Sequence, residues 1–111
     1  MLPPSSLRVR RQGDQTFVRF AGLDHLDEYN SYAASEELSR LAETTSRALV
    51  LDLGNIRFVT GSALGRLVAL SRRVRSAGGR LLLANLSRAV AEVIAVTHLD
   101  RVLEVCGGHA A

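Results

Sequence analysis

The chain has 111 residues, of which 47% are hydrophobic and 23% are charged. This is the length and composition of one folded domain, and it argues against disorder. The net charge of +3 comes from 14 arginines and 11 acidic residues, and the absence of lysine excludes phosphate-loop ATPases, Schiff-base enzymes and receiver domains, which need a lysine amine.

The first half of the chain predicts a β-hairpin followed by a helix. A loose arm, two strands, a loop and a helix are predicted in turn over residues 1–6, 7–11, 15–21, 22–30 and 31–44. The turn residues Gln12-Gly13-Asp14 join the two strands. The helix has Asp27, Asn30 or Ser31 as its candidate N-cap, and its apolar stripe consists of Ala34, Leu38 and Leu41.

The second half alternates apolar runs with amphipathic stretches. Strands are predicted over 48–53, 80–85 and 102–105, and helices over 63–77 and 88–96. Gly78-Gly79 is expected to end the second helix, and Ser87 to cap the third. The order is therefore β-β-α-β-α-β-α-β.

This order predicts an α/β domain of two layers over residues 7–106, followed by a tail over 107–111. Three βαβ units with right-handed crossovers give a mixed, mostly parallel sheet with the helices on one face, and the first strand antiparallel. The single cysteine, Cys106, cannot form an internal disulfide. No apolar run approaches the roughly 20 residues of a membrane span. We therefore expect a cytoplasmic protein that does not insert into a membrane.

Catalytic and metal sites are not indicated. The histidines His25, His98 and His109 lack the spacing of metal ligands, and Cys106 lies beside His109 at the end of the chain, where a catalytic pair is not expected. The acidic residues Asp24, Asp27 and Glu28 are explained by the positive end of a helix dipole. No cofactor and no enzymatic activity are expected.

Nucleic acid is the next class of partner to consider, because arginines can neutralise phosphates. The sequence has no helix-turn-helix pattern, no aromatic stacking platform and no zinc ligands. Its charge is also divided: from Asp24 to Glu43 there are six acids and one arginine, whereas from Phe58 to Ala91 there are six arginines and no acid. This division favours oriented docking on a protein rather than binding to nucleic acid.

Residues 51–65 (LDLGNIRFVTGSALG) are the most informative segment. A buried strand ends there and a helix begins, which exposes backbone N–H groups and a positive dipole end. Thr60 and Ser62 place hydroxyl groups at this point. Such a hydroxyl either caps the helix or accepts a phosphate, which adds a charge of roughly −1.5 to −2.

The order and spacing of several short motifs resemble the STAS domain of anti-sigma-factor antagonists over about nine tenths of the chain. The matching residues are Leu51-Asp52-Leu53, Phe58-Val59, Leu64-Gly65, Gly78-Gly79-Arg80-Leu81, Asn85 and Thr97-His98-Leu99-Asp100. Ala21-Gly22-Leu23-Asp24 resembles the family's Gly-x-Leu-Asp, with alanine in place of the glycine. The resemblance implies a non-enzymatic regulator that binds an anti-sigma factor or a serine-kinase-like partner. It assigns partner contacts to Asp24, Thr60, Gly61, Ser62, Ala63, Leu64, Gly65 and Arg66.

The resemblance breaks at the phosphorylation motif, where the family has Asp-Ser before Ser/Thr-Gly-Leu-Gly. Here Thr60 replaces the aspartate, Gly61 replaces the serine that accepts phosphate, and Ala63 replaces the first glycine. A switch through Ser62 or Thr60 is then a separate hypothesis. Gly61 predicts a protein that is constitutively able to bind.

A second function stays open beside this one. STAS-like domains also serve as scaffolds in signalling complexes or beside membrane transporters. The sheet edge and the face without helices offer surfaces for self-association, including a homodimer.

Overall fold

A five-stranded sheet and three helices form the fold in the residues that the computed structural model describes, 7–44 and 47–106. In chain order the elements are β1 (Leu7–Gln12), β2 (Gln15–Phe20), β3 (His25–Leu26), α1 (Glu28–Thr44), β4 (Ala48–Asp52), β5 (Phe58–Val59), α2 (Gly61–Ser76), β6 (Arg80–Ala84), α3 (Arg88–Val96), a 3-10 turn (Leu99–Arg101) and β7 (Glu104–Val105). The predicted arm over 1–6 and tail over 107–111 lie outside the described residues.

The main sheet has the strand order β1-β2-β4-β6-β7. β1 runs antiparallel to β2, and the remaining pairs are parallel. Each parallel connection contains a helix, as parallel strands require. The predicted mixed, mostly parallel sheet with an antiparallel first strand is confirmed.

The hydrophobic core lies between one face of this sheet and the helices. Alternate strand residues point to that face, and they join helix residues in a single buried cluster. The strand residues of the cluster include Val18, Phe20, Leu49, Leu51, Leu81 and Leu83, and the helix residues include Ala34, Leu38, Leu67, Leu70, Val90 and Ile94. On the opposite face Ala48 and Val50 of the central strand are buried but lie outside this cluster, and Phe17 and Leu82 are half-buried. The helices thus cover one face, as predicted.

A second, two-stranded sheet was not expected from the sequence. β3 pairs in parallel with β5, so that His25 lies opposite Phe58 and Leu26 opposite Val59. Strands of two residues are too short to produce a recognisable alternation, and their pairing depends on a contact between segments far apart in the chain. The segment 22–30 was predicted to be a loop, but it contains β3 and the first residues of α1.

The helix and strand boundaries differ from prediction by a few residues. α1 begins at Glu28 rather than at residue 31, because Asp27, one of the three candidates, is its N-cap. α2 begins at Gly61 rather than at residue 63. β7 contains Glu104 and Val105 only, because a 3-10 turn and its flanking residues occupy the start of the predicted strand.

The end of α2 follows the sequence closely. Gly78 adopts φ +90°, which a residue without a side chain tolerates. Its N–H donates to the carbonyl oxygen of Arg75 at 3.0 Å, and the N–H of Gly79 donates to that of Val74 at 3.0 Å. These two bonds form a Schellman motif and turn the chain into β6. Within the described residues, no helix has the length and apolar character to cross a membrane.

Candidate functional site

The two-stranded sheet brings the segment after β2 beside the start of α2. In addition to the β3–β5 pairing, the N–H of Arg57 donates to the carbonyl oxygen of Asp24 at 2.7 Å, and the N–H of Thr60 donates to that of Leu26 at 2.9 Å. Backbone hydrogen bonds thus join Asp24 and Thr60, two of the predicted contact residues, through one small piece of structure.

Thr60 is the N-cap of α2. Its Oγ1 accepts a hydrogen bond from the N–H of Ala63 at 3.2 Å, and its carbonyl oxygen accepts from the N–H of Leu64 at 3.0 Å. No acidic residue lies in the first turn of this helix. The Thr60 hydroxyl is therefore engaged in capping, while the positive end of the helix dipole is not neutralised by its own first turn.

The eight predicted contact residues divide by exposure. Asp24, Gly61, Ser62 and Gly65 are exposed, and Thr60 and Arg66 are half-buried. Ala63 and Leu64 are 0% and 5% exposed, because they face the core. Their side chains hold the helix on the sheet, so only the other six of the predicted contact residues are accessible at the surface.

Gly61 and Gly65 are four positions apart and therefore lie on the same side of α2. A Cβ atom placed on either one would meet no atom within 4 Å apart from its chain neighbours and the backbone of α2 itself. Packing among the described residues therefore requires neither glycine. Together they leave one side of the first turns of α2 bare, so that another backbone can approach closely.

His25 lies between two carboxylates at the edge of this region. Its Nδ1 is 3.1 Å from Oδ1 of Asp24, and its Nε2 is 3.1 Å from Oδ2 of Asp27. The hydrogen bonds to Asp24 and then Asp27 raise the pKa of His25, and its hydrogen bond lowers the pKa of Asp24. The pKa of Asp27 is lowered, first by a backbone hydrogen bond from Asn30. An imidazole donates from both nitrogens only when protonated, so this arrangement favours the cation.

Asp27 links this cluster to α1. Its Oδ1 accepts hydrogen bonds from the N–H groups of Tyr29 and Asn30, both at 2.9 Å. The amide of Asn30 in turn donates to the carbonyl oxygen of His25 at 2.9 Å. The ring of His25 stacks on Phe58 of β5, with centroids 5.2 Å apart and planes 13° from parallel. β3, β5 and the start of α1 are thus held as one unit.

Three exposed aromatic side chains lie near the site, and they were not among the candidate contact residues predicted from the sequence. Phe58, Tyr29 and Tyr32 are 53%, 80% and 54% exposed, and the guanidinium carbon of Arg66 lies 4.8 Å from the Tyr32 ring centre. Such residues are common in the centre of protein interfaces. The exposure of the two tyrosines could have been predicted from the helical periodicity. If Ala34 and Leu38 lie on the buried side of α1, Tyr29 and Tyr32 lie on its exposed side.

The remaining chemically reactive candidates lie apart from this site in sequence. Cys106 is a free, exposed thiol, and His98 is exposed before the 3-10 turn. His109 lies outside the described residues. Among the part of the chain that is described, no three histidine, cysteine or acidic residues are grouped to hold a metal ion.

Comparison with known proteins gives one family match and several structures of the same fold. The STAS domain model matches residues 6–110. An anti-sigma factor antagonist from Mycobacterium paratuberculosis is 20% identical, with a TM-score of 0.76; the match covers 92% of this chain and 85% of that one. The phosphorylated form of the cell fate determinant SpoIIAA from Bacillus is 16% identical, with a TM-score of 0.66 and 91% of each chain covered.

The same fold also occurs within a much larger protein. The murine anion transporter Slc26a9 is 19% identical, with a TM-score of 0.69; the match covers 83% of this chain but only 15% of the transporter. At these identities the structural matches establish the fold alone.

Proposed function

Because the chain belongs to the STAS domain family, we propose that it is a regulatory binding protein rather than an enzyme. Its partner is an anti-sigma factor of the serine-kinase type, and docking releases the sigma factor that this partner holds. The likeness in fold to the mycobacterial anti-sigma factor antagonist supports this assignment. A protein that acts by docking in this way works in the cytoplasm, beside the transcription machinery.

The observation that carries the proposal is the bare side of α2 formed by Gly61, Ser62 and Gly65. A glycine inside a helix costs roughly 0.5–1 kcal/mol relative to alanine. Gly65 is exposed, and no described residue outside the backbone of α2 lies near its Cβ position, so the packing of the described residues does not offset this cost. A partner that packs its own backbone against α2 would explain why a glycine is present inside this helix.

Asp24 and the exposed aromatic rings extend this surface. The β3–β5 pairing holds Asp24 beside the chain that enters α2, and Phe58 belongs to β5 itself. The docking surface therefore combines an acidic group, an aromatic ring and a flat helix start. Such a combination gives orientation through charge and affinity through apolar contact.

The lack of a serine at residue 61 makes this binding constitutive. Of the two remaining hydroxyls, that of Thr60 is occupied in capping α2, whereas Ser62 is exposed. Ser62 is therefore the better candidate if a phosphate is added at all. A phosphate there would be stabilised by the helix dipole and would repel an acidic or closely packed partner surface.

The docking surface is tested with Gly65→Gln, which places a side chain on the bare side of α2. The matched control is Ala95→Gln, a small exposed residue on α3. Calorimetry with a purified serine-kinase-type anti-sigma factor should give a loss of at least about tenfold in affinity for the first variant and no change for the second. Equal binding by both variants and the unchanged protein would place the contact elsewhere. Absence of binding by the unchanged protein to any such partner would refute the proposed function.

A scaffold is the second candidate, and the transporter match favours it, since there the same fold is one part of a larger assembly. The face of the sheet without helices offers a further contact surface. Light scattering at high concentration separates the two functions, because a scaffold subunit that self-associates gives a concentration-dependent mass. A mass that stays at 12.0 kDa supports the regulator.

A further inference from the structure

The sheet face without helices carries two rows of side chains at its β1–β2 end. The register places Arg8, Arg19 and Asp52 side by side on β1, β2 and β4. The adjacent row contains Arg10, Phe17 and Val50. Residues directly opposite each other in neighbouring strands point to the same face. Both rows therefore lie on the face opposite the core.

All of these residues except the buried Val50 line a shallow groove of about 290 Å³. Arg8, Arg10 and Arg19 are exposed, while Phe17 and Asp52 are half-buried. The guanidinium carbon of Arg10 lies 5.3 Å from the centre of the Phe17 ring. The groove thus has an apolar floor, with cations at its sides and a single carboxylate at one end.

The charges in this groove are not balanced within the chain. Three arginines face one acid, and none of the three forms an ion pair with an acidic residue in the described part of the chain. Like charges placed directly opposite each other, as Arg8 and Arg19 are, destabilise a strand pair. An anionic ligand would remove this repulsion.

Protection of an edge strand explains only part of the pattern. β1 is at the edge of the sheet, and charged side chains on such a strand prevent unwanted pairing. This accounts for Arg8 and Arg10. Arg19 is on β2, which is paired on both sides, so edge protection does not account for it.

We infer that this groove is a second binding surface, which takes an acidic segment of a partner polypeptide. The arginine forks suit carboxylates, and the half-buried Phe17 ring between them accepts apolar side chains. Asp52 would repel a continuous polyanion such as DNA or an acidic membrane, whereas a polypeptide offers N–H groups as well as carboxylates. The surface is independent of the start of α2, so the domain can join two proteins at once.

Fluorescence anisotropy with a short labelled peptide of alternating glutamate and valine tests this inference on the full chain. The double variant Arg8→Gln/Arg19→Gln should lose about tenfold or more in affinity. The matched control, Arg72→Gln/Arg75→Gln, removes the same charge from exposed positions of α2 and should bind as the unchanged protein does. Circular dichroism verifies that both variants are folded.

Equal losses in the two double variants would mean that net charge alone drives binding, and this would overturn the inference. So would unchanged binding by Arg8→Gln/Arg19→Gln. A DNA duplex and phosphatidylglycerol vesicles are titrated in parallel. If either binds more tightly than the peptide and depends on Arg8 and Arg19, the groove is a site for a polyanion and not for a polypeptide. None of these outcomes depends on the contact at α2.

Discussion

His25 shows how one side chain connects three elements of the site. Its ring contacts the carboxylates of the residues just before and just after β3, Asp24 and Asp27, and it stacks on Phe58 of β5. Its carbonyl oxygen receives the Asn30 amide from α1. The charge state of this imidazole therefore affects how firmly the proposed docking surface is held.

The stability that His25 provides depends on pH. Because its pKa is raised in the folded protein, its contribution is complete below its ordinary value of 6.5 and is lost as the pH rises through the folded value. The lowered pKa values of Asp24 and Asp27 affect stability in acid. The stability that these two carboxylates provide is present above pH 3.8 and is lost as the pH falls through their pKa values in the folded protein.

Urea denaturation of the unchanged protein and of His25→Gln across this pH range measures the effect. The difference in unfolding free energy should be largest in mildly acidic solution and should shrink towards alkaline pH. His98→Gln, which alters an exposed histidine outside the cluster, serves as the control. A difference that grows with pH would contradict the assigned charge on His25.

At the scale of elements, α2 departs from the best sequence for a stable helix. Gly65 is inside the helix and exposed, and the Cβ of an alanine there would meet no atom within 4 Å beyond its chain neighbours and the backbone of α2. Gly65→Ala is expected to stabilise the protein by about 0.5–1 kcal/mol in chemical denaturation. The reverse change one turn later, Ala69→Gly, is expected to destabilise it by a similar amount. A loss of stability in Gly65→Ala would mean that the glycine serves the fold and not a partner.

The long elements were predictable from the sequence because their patterns are local. Ser87 caps α3 through a hydrogen bond from the N–H of Val90 to its Oγ at 3.3 Å, and Gly78 ends α2, both as expected. The β3–β5 pair was not predictable, since two-residue strands carry no periodicity and join segments more than 30 residues apart. The proximity of Asp24 to the start of α2 depends on that pair.

At the scale of the whole molecule, charge is divided between surfaces. The segment from Asp24 to Glu43 is acidic, whereas the charged residues of the segment from Phe58 to Ala91 are all arginines. The groove on the opposite face adds Arg8, Arg10 and Arg19. Charge separated in this way orients a small domain between partners more than it raises affinity.

The two proposed surfaces give the domain different roles on its two sides. The start of α2 binds the anti-sigma factor in the proposed function, and the groove between β1, β2 and β4 binds an acidic segment. Neither surface requires chemistry by the chain itself. Regulation would then reside in whether α2 can accept a phosphate, which depends on residue 61.

Phosphopeptide mass spectrometry of the chain, incubated with ATP and a serine-kinase-type anti-sigma factor, tests this central claim most directly. The unchanged protein should carry no phosphate over residues 60–62 and should remain bound. Gly61→Ser, whose Cβ meets no atom within 4 Å, should fold normally, gain a phosphate at residue 61 and be released. Phosphate on Ser62 or Thr60 of the unchanged protein, with release from the partner, would contradict constitutive binding.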